Sequence, residues 1–263
     1  MDLSKCFNLE DKVAVISGGA GILCSEIAKA LGDFGVKVAI LDISEEAMKN
    51  LSESLKDRDI EHIYIKTDVT NKESISKAAK KTIEKFGKVD ILINGAGGNK
   101  AEATTSAELS FFDLPETAIR YVFNLNFMST FFTSQVFGEL LANQGEGVIL
   151  NISSMNAFLP LTNIPAYSAA KAAISNFTMW LATHMSQNYS TKIRVNAIAP
   201  GFFMTEQNRY LLIDKDTGTL TERGKAIIEH TPMKRFGEPQ DLISTVLWLV
   251  STGSEFVTGS VIT

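Results

Sequence analysis

Tyr167 and Lys171 stand four residues apart in Tyr167-Ser-Ala-Ala-Lys171, a spacing that puts both side chains on one face of a helix. A phenol beside an ammonium suits proton transfer. The cation favours phenolate, so the tyrosine pKa of about 10 is expected to fall toward working pH. Ser154 lies thirteen residues before Tyr167, at the end of Asn151-Ile-Ser-Ser154, and offers a hydroxyl to a reacting oxygen. A Tyr/Lys pair at this spacing is common on exposed helices and carries little by itself. Here a glycine-rich turn, Asn126 and Ser154 precede it in order along the chain.

The glycine-rich turn is Ser17-Gly-Gly-Ala-Gly-Ile-Leu-Cys24, with Gly18, Gly21 and Ile22 at the positions expected to meet a ligand. Between a strand and a helix, such a turn lets backbone N–H groups and a helix N-terminus meet a pyrophosphate. Asp42 follows 21 residues after Gly21, where a carboxylate can accept both hydroxyls of an adenosine ribose. No arginine follows it to greet a 2′-phosphate, and Asp42 would repel one, so the expected cofactor is NAD rather than NADP. Asp68-Val69 and Asn94-Gly-Ala96-Gly97 fall after later strands, at the edge where open α/β sheets bind ligands.

These groups need a scaffold, and the hydrophobic pattern supplies one. Short apolar runs at 13–16, 37–41, 62–65 and 89–93 alternate with amphipathic stretches at 26–34, 44–56 and 71–86, with Ser44 and Asn71 as N-caps. The second half continues with a long helix over 121–139, a strand over 148–152, a helix over 166–189, a strand over 193–198, a helix over 239–250 and a last strand over 257–262. Such alternation predicts a single-domain α/β Rossmann fold, a doubly wound parallel sheet with helices on both faces, spanning 1–263. Two stretches break the rhythm, 97–117 and 206–239. Insertions of this length are usually functional, and the second, over about 206–238, is read as a substrate lid.

Composition narrows the class. Hydrophobic residues make up 45% of 263, enough for a large core. A net charge of −5 disfavours a nucleic-acid partner. Cys6 and Cys24 are too few for a disulfide scaffold and fit a reducing compartment; Cys24 reads as a small buried hydrophobe. His62, His184 and His230 lie far apart, so no metal site is read. The first eleven residues carry acids and no apolar run, and no stretch is long and apolar enough to span a membrane; the expectation is a cytoplasmic protein.

Together these landmarks resemble the short-chain dehydrogenase/reductase family over nearly the whole chain: the Gly18–Ile22 turn, Asp68, Asn94-Gly-Ala-Gly97, Asn126, Ser154, Tyr167, Lys171 and Pro200-Gly-Phe-Phe-Met-Thr205. The resemblance implies that Tyr167 is the acid/base and that Ser154 binds the substrate oxygen. Lys171 would bind ribose and lower the Tyr167 pKa, and Asn126 would hold a water in a proton relay. With Ser17, Asp42, Asp68, Val69, Asn94 and Ala96, the residues Pro200, Gly201, Phe203 and Thr205 would contact the cofactor. It also implies a strand order of 3-2-1-4-5-6-7 and a homotetramer. Three features depart from the family's pattern. The turn is read as one residue short of TGxxxGxG with Leu23 in place of its last glycine, which predicts a rearranged helix entrance. NNAG reads NGAG, with Gly95 in second place. The pattern also runs on past Thr263 into VDGG and a tail that often joins subunit contacts.

The substrate is read from the loops. Asn99, Lys100, Asn156, Asn163, Gln207, Asn208 and Arg209 form an amide-rich set with one or two cations, suited to a polyhydroxylated substrate with a carboxylate. Arg209 is the best carboxylate candidate, because guanidinium pairs with it bidentately; Ser154, Asn156, Tyr167 and Gln207 complete the candidate substrate set. The segments INGAGGN, FNLNFMST, NISSMNAFLPLT, IPAYSAAKAAISNFT and APGFFMTEQNR resemble the D-mannonate oxidoreductase (fructuronate reductase) branch. That branch implies interconversion of D-fructuronate and D-mannonate with NAD(H). The alternatives are another sugar-acid or polyol dehydrogenase, such as a gluconate 5-dehydrogenase, and a nucleotide-sensing protein that has lost the chemistry. Retention of Ser154, Tyr167, Lys171 and Asn126 argues against the last.

Overall fold

A strand whose residues are apolar at every position, not at alternate ones, must be covered on both faces. β1 (Val13–Ser17) is buried throughout, and so are β4 (Ile91–Asn94) and β6 (Ile193–Ile198). With β2 (Lys37–Asp42), β3 (His62–Lys66), β5 (Gly147–Ile152) and β7 (Val261–Ile262), they form a seven-stranded parallel sheet in the computed structural model, which describes residues 6–161, 163–204, 209–215 and 217–263. The order is β3-β2-β1-β4-β5-β6-β7, as the resemblance implied. The order reverses between β1 and β4, and it is there that an open α/β sheet leaves a crevice at its carboxyl edge.

The side chains alternate between two cores. Ala14, Ile16, Ile40, Ile93 and Leu150 pack with α1 (Ile22–Asp33), α2 (Glu45–Lys56) and α9 (Ile243–Val250). Val15, Leu41, Leu92, Ile149 and Val195 pack on the other face with α3 (Lys72–Phe86), α5 (Ser129–Gln144) and α6 (Pro165–Asn188). The expected caps form: Ser44 Oγ accepts from the Ala47 N–H, and Asn71 Oδ1 from those of Glu73 and Ser74.

Register brings the motif residues onto one rung. Ser17 pairs with Leu41 on one side and Asn94 on the other, and Asn94 pairs with Asn151. Asn94 Nδ2 donates to Asn151 Oδ1 at 2.8 Å and to Ser134 Oγ at 3.0 Å; Asn151 Nδ2 donates to Thr178 Oγ1 at 2.9 Å. This buried polar chain runs from α5 through β4 and β5 to α6. Fully satisfied networks of this kind hold elements in one relative position.

Several boundaries differ from the sequence expectation. α1 begins at Ile22, not near Glu26, so it rises directly from the glycine turn. The long helix expected over 121–139 starts earlier, as α4 (Glu116–Phe123), and widens into a π turn at Asn124–Met128 before α5. The last strand is only Val261–Ile262. Before it, side chains and main chain together hold the stretch to β6: Thr258 Oγ1 accepts from the Val195 N–H, the Val257 carbonyl from Asn196 Nδ2, and the Val195 carbonyl from the Gly259 N–H. The first insertion carries two 3₁₀ turns, Ala101–Ala103 and Phe111–Asp113. The second carries α7 (Arg209–Leu212) and α8 (Glu222–His230). No described helix is long and apolar enough to cross a membrane.

Candidate active site

A cleft of about 590 Å³ opens at the carboxyl edge, between β1, β2, β3 and β4. Of the residues expected to hold a dinucleotide, Gly18, Gly21, Ile22, Asp42, Asp68, Val69, Ala96 and Gly97 line it. The N-cap of α1, Gly21, makes no side-chain cap bond. Glycine has no side chain to compete for the first-turn N–H groups, which form the positive end of a helix beside the cleft. Asp42 joins two turns: Oδ2 accepts from the Ala20 N–H of the glycine turn at 3.1 Å, and Oδ1 from the Ser44 N–H after β2 at 3.0 Å. Asp68 Oδ1 accepts from the Thr70 N–H and hydroxyl.

Ser17 and Asn94 are buried behind this wall rather than on it. Ser17 Oγ accepts from the N–H groups of Gly95 (3.2 Å) and Ala96 (3.4 Å), tying the end of β1 to the loop after β4. Leu23, Cys24, Ile43, Thr67, Thr70, Tyr121, Leu125 and Ile152 also line the cleft and were not singled out as ligand-facing. Tyr121 and Leu125 are four apart at the start of the long helix, a spacing that could have pointed to a shared wall. The Lys100 ammonium sits 5.3 Å from the Tyr121 ring centroid and 3.4 Å from a Glu102 carboxylate oxygen.

Ser154, Tyr167 and Lys171 meet at the end of β5. The Ser154 hydroxyl lies near enough to the Tyr167 phenol to oppose the rise in its pKa. Lys171 is buried; its Nζ donates to the Ile152 carbonyl at 2.8 Å and lies 5.5 Å from the Tyr167 ring centroid. Ile152 lines the cleft, so the lysine reaches the same wall as the glycine turn. Ser153, which sequence reasoning passed over, donates from Oγ to the Lys171 carbonyl at 3.0 Å and lies 2.7 Å from Ser175 Oγ. α6 is thus tied to β5 through both the main chain and the side chain of Lys171.

The electrostatics correct one expectation. Burial pushes the Tyr167 phenol up, and the Ser154 hydroxyl only partly opposes it. The nearby Lys171 ammonium does not reverse that rise. The ammonium lies by the ring and is directed to a carbonyl, and burial lowers its own pKa to about 8, so burial outweighs the cation.

Asn126, in the π turn, braces the loop that carries Gly97. Its Nδ2 donates to the carbonyls of Gly98 (2.7 Å) and Val122 (2.8 Å), and its Oδ1 accepts from the Gly98 N–H (3.2 Å). Other amides of the substrate set also brace loops. Asn99 donates to Thr104 Oγ1, the Asn163 carbonyl accepts from the Thr105 N–H, and Asn156 Oδ1 accepts from the Leu161 N–H. Asn156 also lines a shallower cavity of about 500 Å³ beside α6. The Pro200 carbonyl accepts from the Met155 N–H, Gly201 is exposed beside Met155, and the Phe203 ring packs toward Gly237. Arg209 opens α7 and is exposed, lining neither cavity. Thr205, Gln207 and Asn208 lie outside the described residues.

The profile of the family described as short chain dehydrogenase matches residues 12–216. An uncharacterized oxidoreductase of Bacillus subtilis (strain 168), UxuB, is 47% identical over 261 residues, covering 96% of this chain and 92% of that protein. The 2-dehydro-3-deoxy-D-gluconate 5-dehydrogenase of Dickeya dadantii (strain 3937) is 33% identical over 255 residues, 96% of this chain and 93% of that one. A crystal structure with bound NAD, of a Haemophilus influenza protein proposed to be a D-mannonate oxidoreductase, matches with a TM-score of 0.92 and 42% identity over 99% of this chain and 96% of that chain. With its strand order, carboxyl-edge cleft and Ser154–Tyr167–Lys171 cluster, the chain belongs to the short-chain dehydrogenase family of oxidoreductases.

Proposed function

We propose that this chain is an NAD(H)-dependent oxidoreductase that interconverts a keto-sugar acid and its alcohol, most specifically D-fructuronate and D-mannonate. The observation that carries the reading is the meeting of Ser154, Tyr167 and Lys171 at the end of β5, beside the cleft wall that Lys171 reaches. The cleft fits the cofactor: a carboxylate at the end of β2, a helix N-terminus without a side-chain cap, and room of about 590 Å³. NAD is found in the similar Haemophilus influenza structure, and the Dickeya dadantii relative is named for a sugar acid.

NAD(H), when bound, supplies or accepts the hydride at the carbinol carbon. In reduction, Tyr167 gives its phenolic proton to the carbonyl oxygen as that oxygen gains charge, and Ser154 holds the same oxygen by a hydrogen bond. In oxidation, Tyr167 takes the proton back from the hydroxyl. Lys171 presents its charge beside the phenol and keeps α6 on β5. Asn126 keeps the Gly97–Gly98 loop against the cleft. The segment 206–238, with Arg209 at the head of α7, is the proposed lid, and Arg209 the proposed partner of the substrate carboxylate.

Three kinetic outcomes test the chemistry. Tyr167→Phe is expected to lower kcat by roughly two to four orders of magnitude while NADH affinity stays near that of the parent; a variant close to full activity would remove Tyr167 from the acid/base role. Among D-fructuronate, D-tagaturonate, 5-keto-D-gluconate and a bulky polycyclic ketone, kcat/KM with NADH is expected to be highest for D-fructuronate and to fall with NADPH. Arg209→Ala should raise KM for the uronates more than for uncharged ketoses, and equal effects would exclude its carboxylate role.

Lys171 yields a stability test. Its folded pKa, about 8, lies below the ordinary lysine value of 10.5. Below pH 8 the native state therefore bears the full cost of a buried charge. Between about 8 and 10.5 the native state releases its proton before the unfolded state does, so stability rises with pH; above that window the cost is gone. Lys171→Met lacks this cost. The stability of the variant relative to the parent should fall by about 3 kcal/mol between pH 7 and pH 10.5 in urea unfolding; a difference constant with pH would show that the ammonium is not desolvated.

The same reading includes a homotetramer. The solvent side of α6 presents Ala169, Ala172, Asn176, Met179 and Trp180 without a charge, an exposed face suited to a second copy. Light scattering of the purified chain should return four times the monomer mass, and a monomer would refute it.

A further inference from the structure

One departure from the family's pattern, Gly95, meets Cys24 at the start of α1. A Cβ placed on Gly95 would lie 2.1 Å from Cys24 Sγ and 3.0 Å from the Ser17 carbonyl oxygen. No side chain fits there while Cys24 occupies the space. The residue of α1 that meets the β4 loop is therefore Cys24, not Leu23, and the volume absent at position 95 is filled from the helix. α1 starts at Ile22, directly after its N-cap Gly21.

The contact lies in the floor of the cleft. Gly95 N–H donates to the Ser17 carbonyl at 3.1 Å and to Ser17 Oγ at 3.2 Å. Gly18, at φ +62°, lies so close to the loop that a Cβ would sit 2.7 Å from Ala96 Cα. The glycine turn and the β4 loop thus rest backbone against backbone, with Cys24 filling the space left at Gly95. Cys24 is 4% exposed, and Cys24, Gly95, Gly18 and Ala96 all line the cleft. Burial pushes its thiol up to about 12, so it is a neutral packing group at working pH.

We propose that Cys24 and Gly95 are a complementary pair of positioning residues that set the spacing between the glycine turn and the β4 loop, and through it the affinity for the dinucleotide. The proposal rests on the reading of the cleft as the NAD(H) site. Enlarging position 95 pushes Cys24 and the start of α1 away and opens the turn. Shrinking position 24 at the same time restores the approach, because the two volumes compete for one space.

The test is a double-variant cycle read by NADH binding, by the KM for NADH against kcat, and by thermal unfolding of the free protein. The parent must first bind NADH; if it does not, the cofactor reading itself fails, and the pair is not what has been tested. Given binding, Gly95→Ala is expected to weaken NADH roughly tenfold or more, with the loss in Kd and KM rather than in kcat at saturation. Adding Cys24→Gly to Gly95→Ala should return Kd to within about threefold of the parent, and Cys24→Ser, which keeps the volume, should stay within the same range. Parent-like binding by Gly95→Ala, or no recovery in the double variant, would overturn the proposal. If Gly95→Ala does not fold, recovery of folding and NADH binding in the double variant supports it, and a double variant that stays unfolded or unable to bind while Cys24→Gly alone binds normally overturns it.

Discussion

The Lys171 ammonium is buried against β5 and donates to the Ile152 carbonyl, while Ser153 holds the main chain of the same residue. Sliding α6 along β5 would strand both a charge and a carbonyl in the interior, which costs several kcal/mol. Ser154 follows directly on β5 and Tyr167 lies one turn before Lys171, so this constraint fixes their separation. The acid/base pair is set by the packing of a helix on a strand.

The nucleotide side obeys a related logic. Parallel strands in register end together, and here Ser17, Asn94 and Asn151 share a rung. Whatever follows those strands must turn away over the same edge, where the order reverses between β1 and β4. The cleft is the space those turns leave. Its wall uses backbone more than side chain: a glycine turn, a loop held by Ser17 and Asn126, and a helix start without a side-chain cap. Asp42 contributes by orienting the turn through Ala20 while keeping its place on the cleft wall.

Much of this was legible in the residues. Continuous apolar runs demanded a two-faced parallel sheet, and the caps at Ser44 and Asn71 formed where side-chain oxygens preceded helical patterns. Asp42, Asp68, Gly97 and Ile22 were expected at the cleft, and they line it. Ser17 and Asn94 carried the same motif signal but turn inward, because a motif identifies a position along the chain and not the direction of its side chain. Asn99 and Asn156 carry amides suited to a sugar, and in the fold each also makes a side-chain bond within its own loop.

What the sequence by itself determined is whatever depends on neighbours along the chain: strand and helix periods, caps, the glycine turn and the four-residue spacing of Tyr167 and Lys171. Tertiary structure alone decided what depends on residues far apart in sequence. The direction of the Tyr167 shift is one such case. The Lys171 charge is four residues away and visible in the sequence, but desolvation comes from the whole surrounding fold and is the larger effect. The contact of Cys24 with Gly95 is another. Seventy-one positions separate them; Gly95 reads as a departure from a motif and Cys24 as a small buried residue, and only the adjacency of β1 and β4 shows that the two positions compete for one volume.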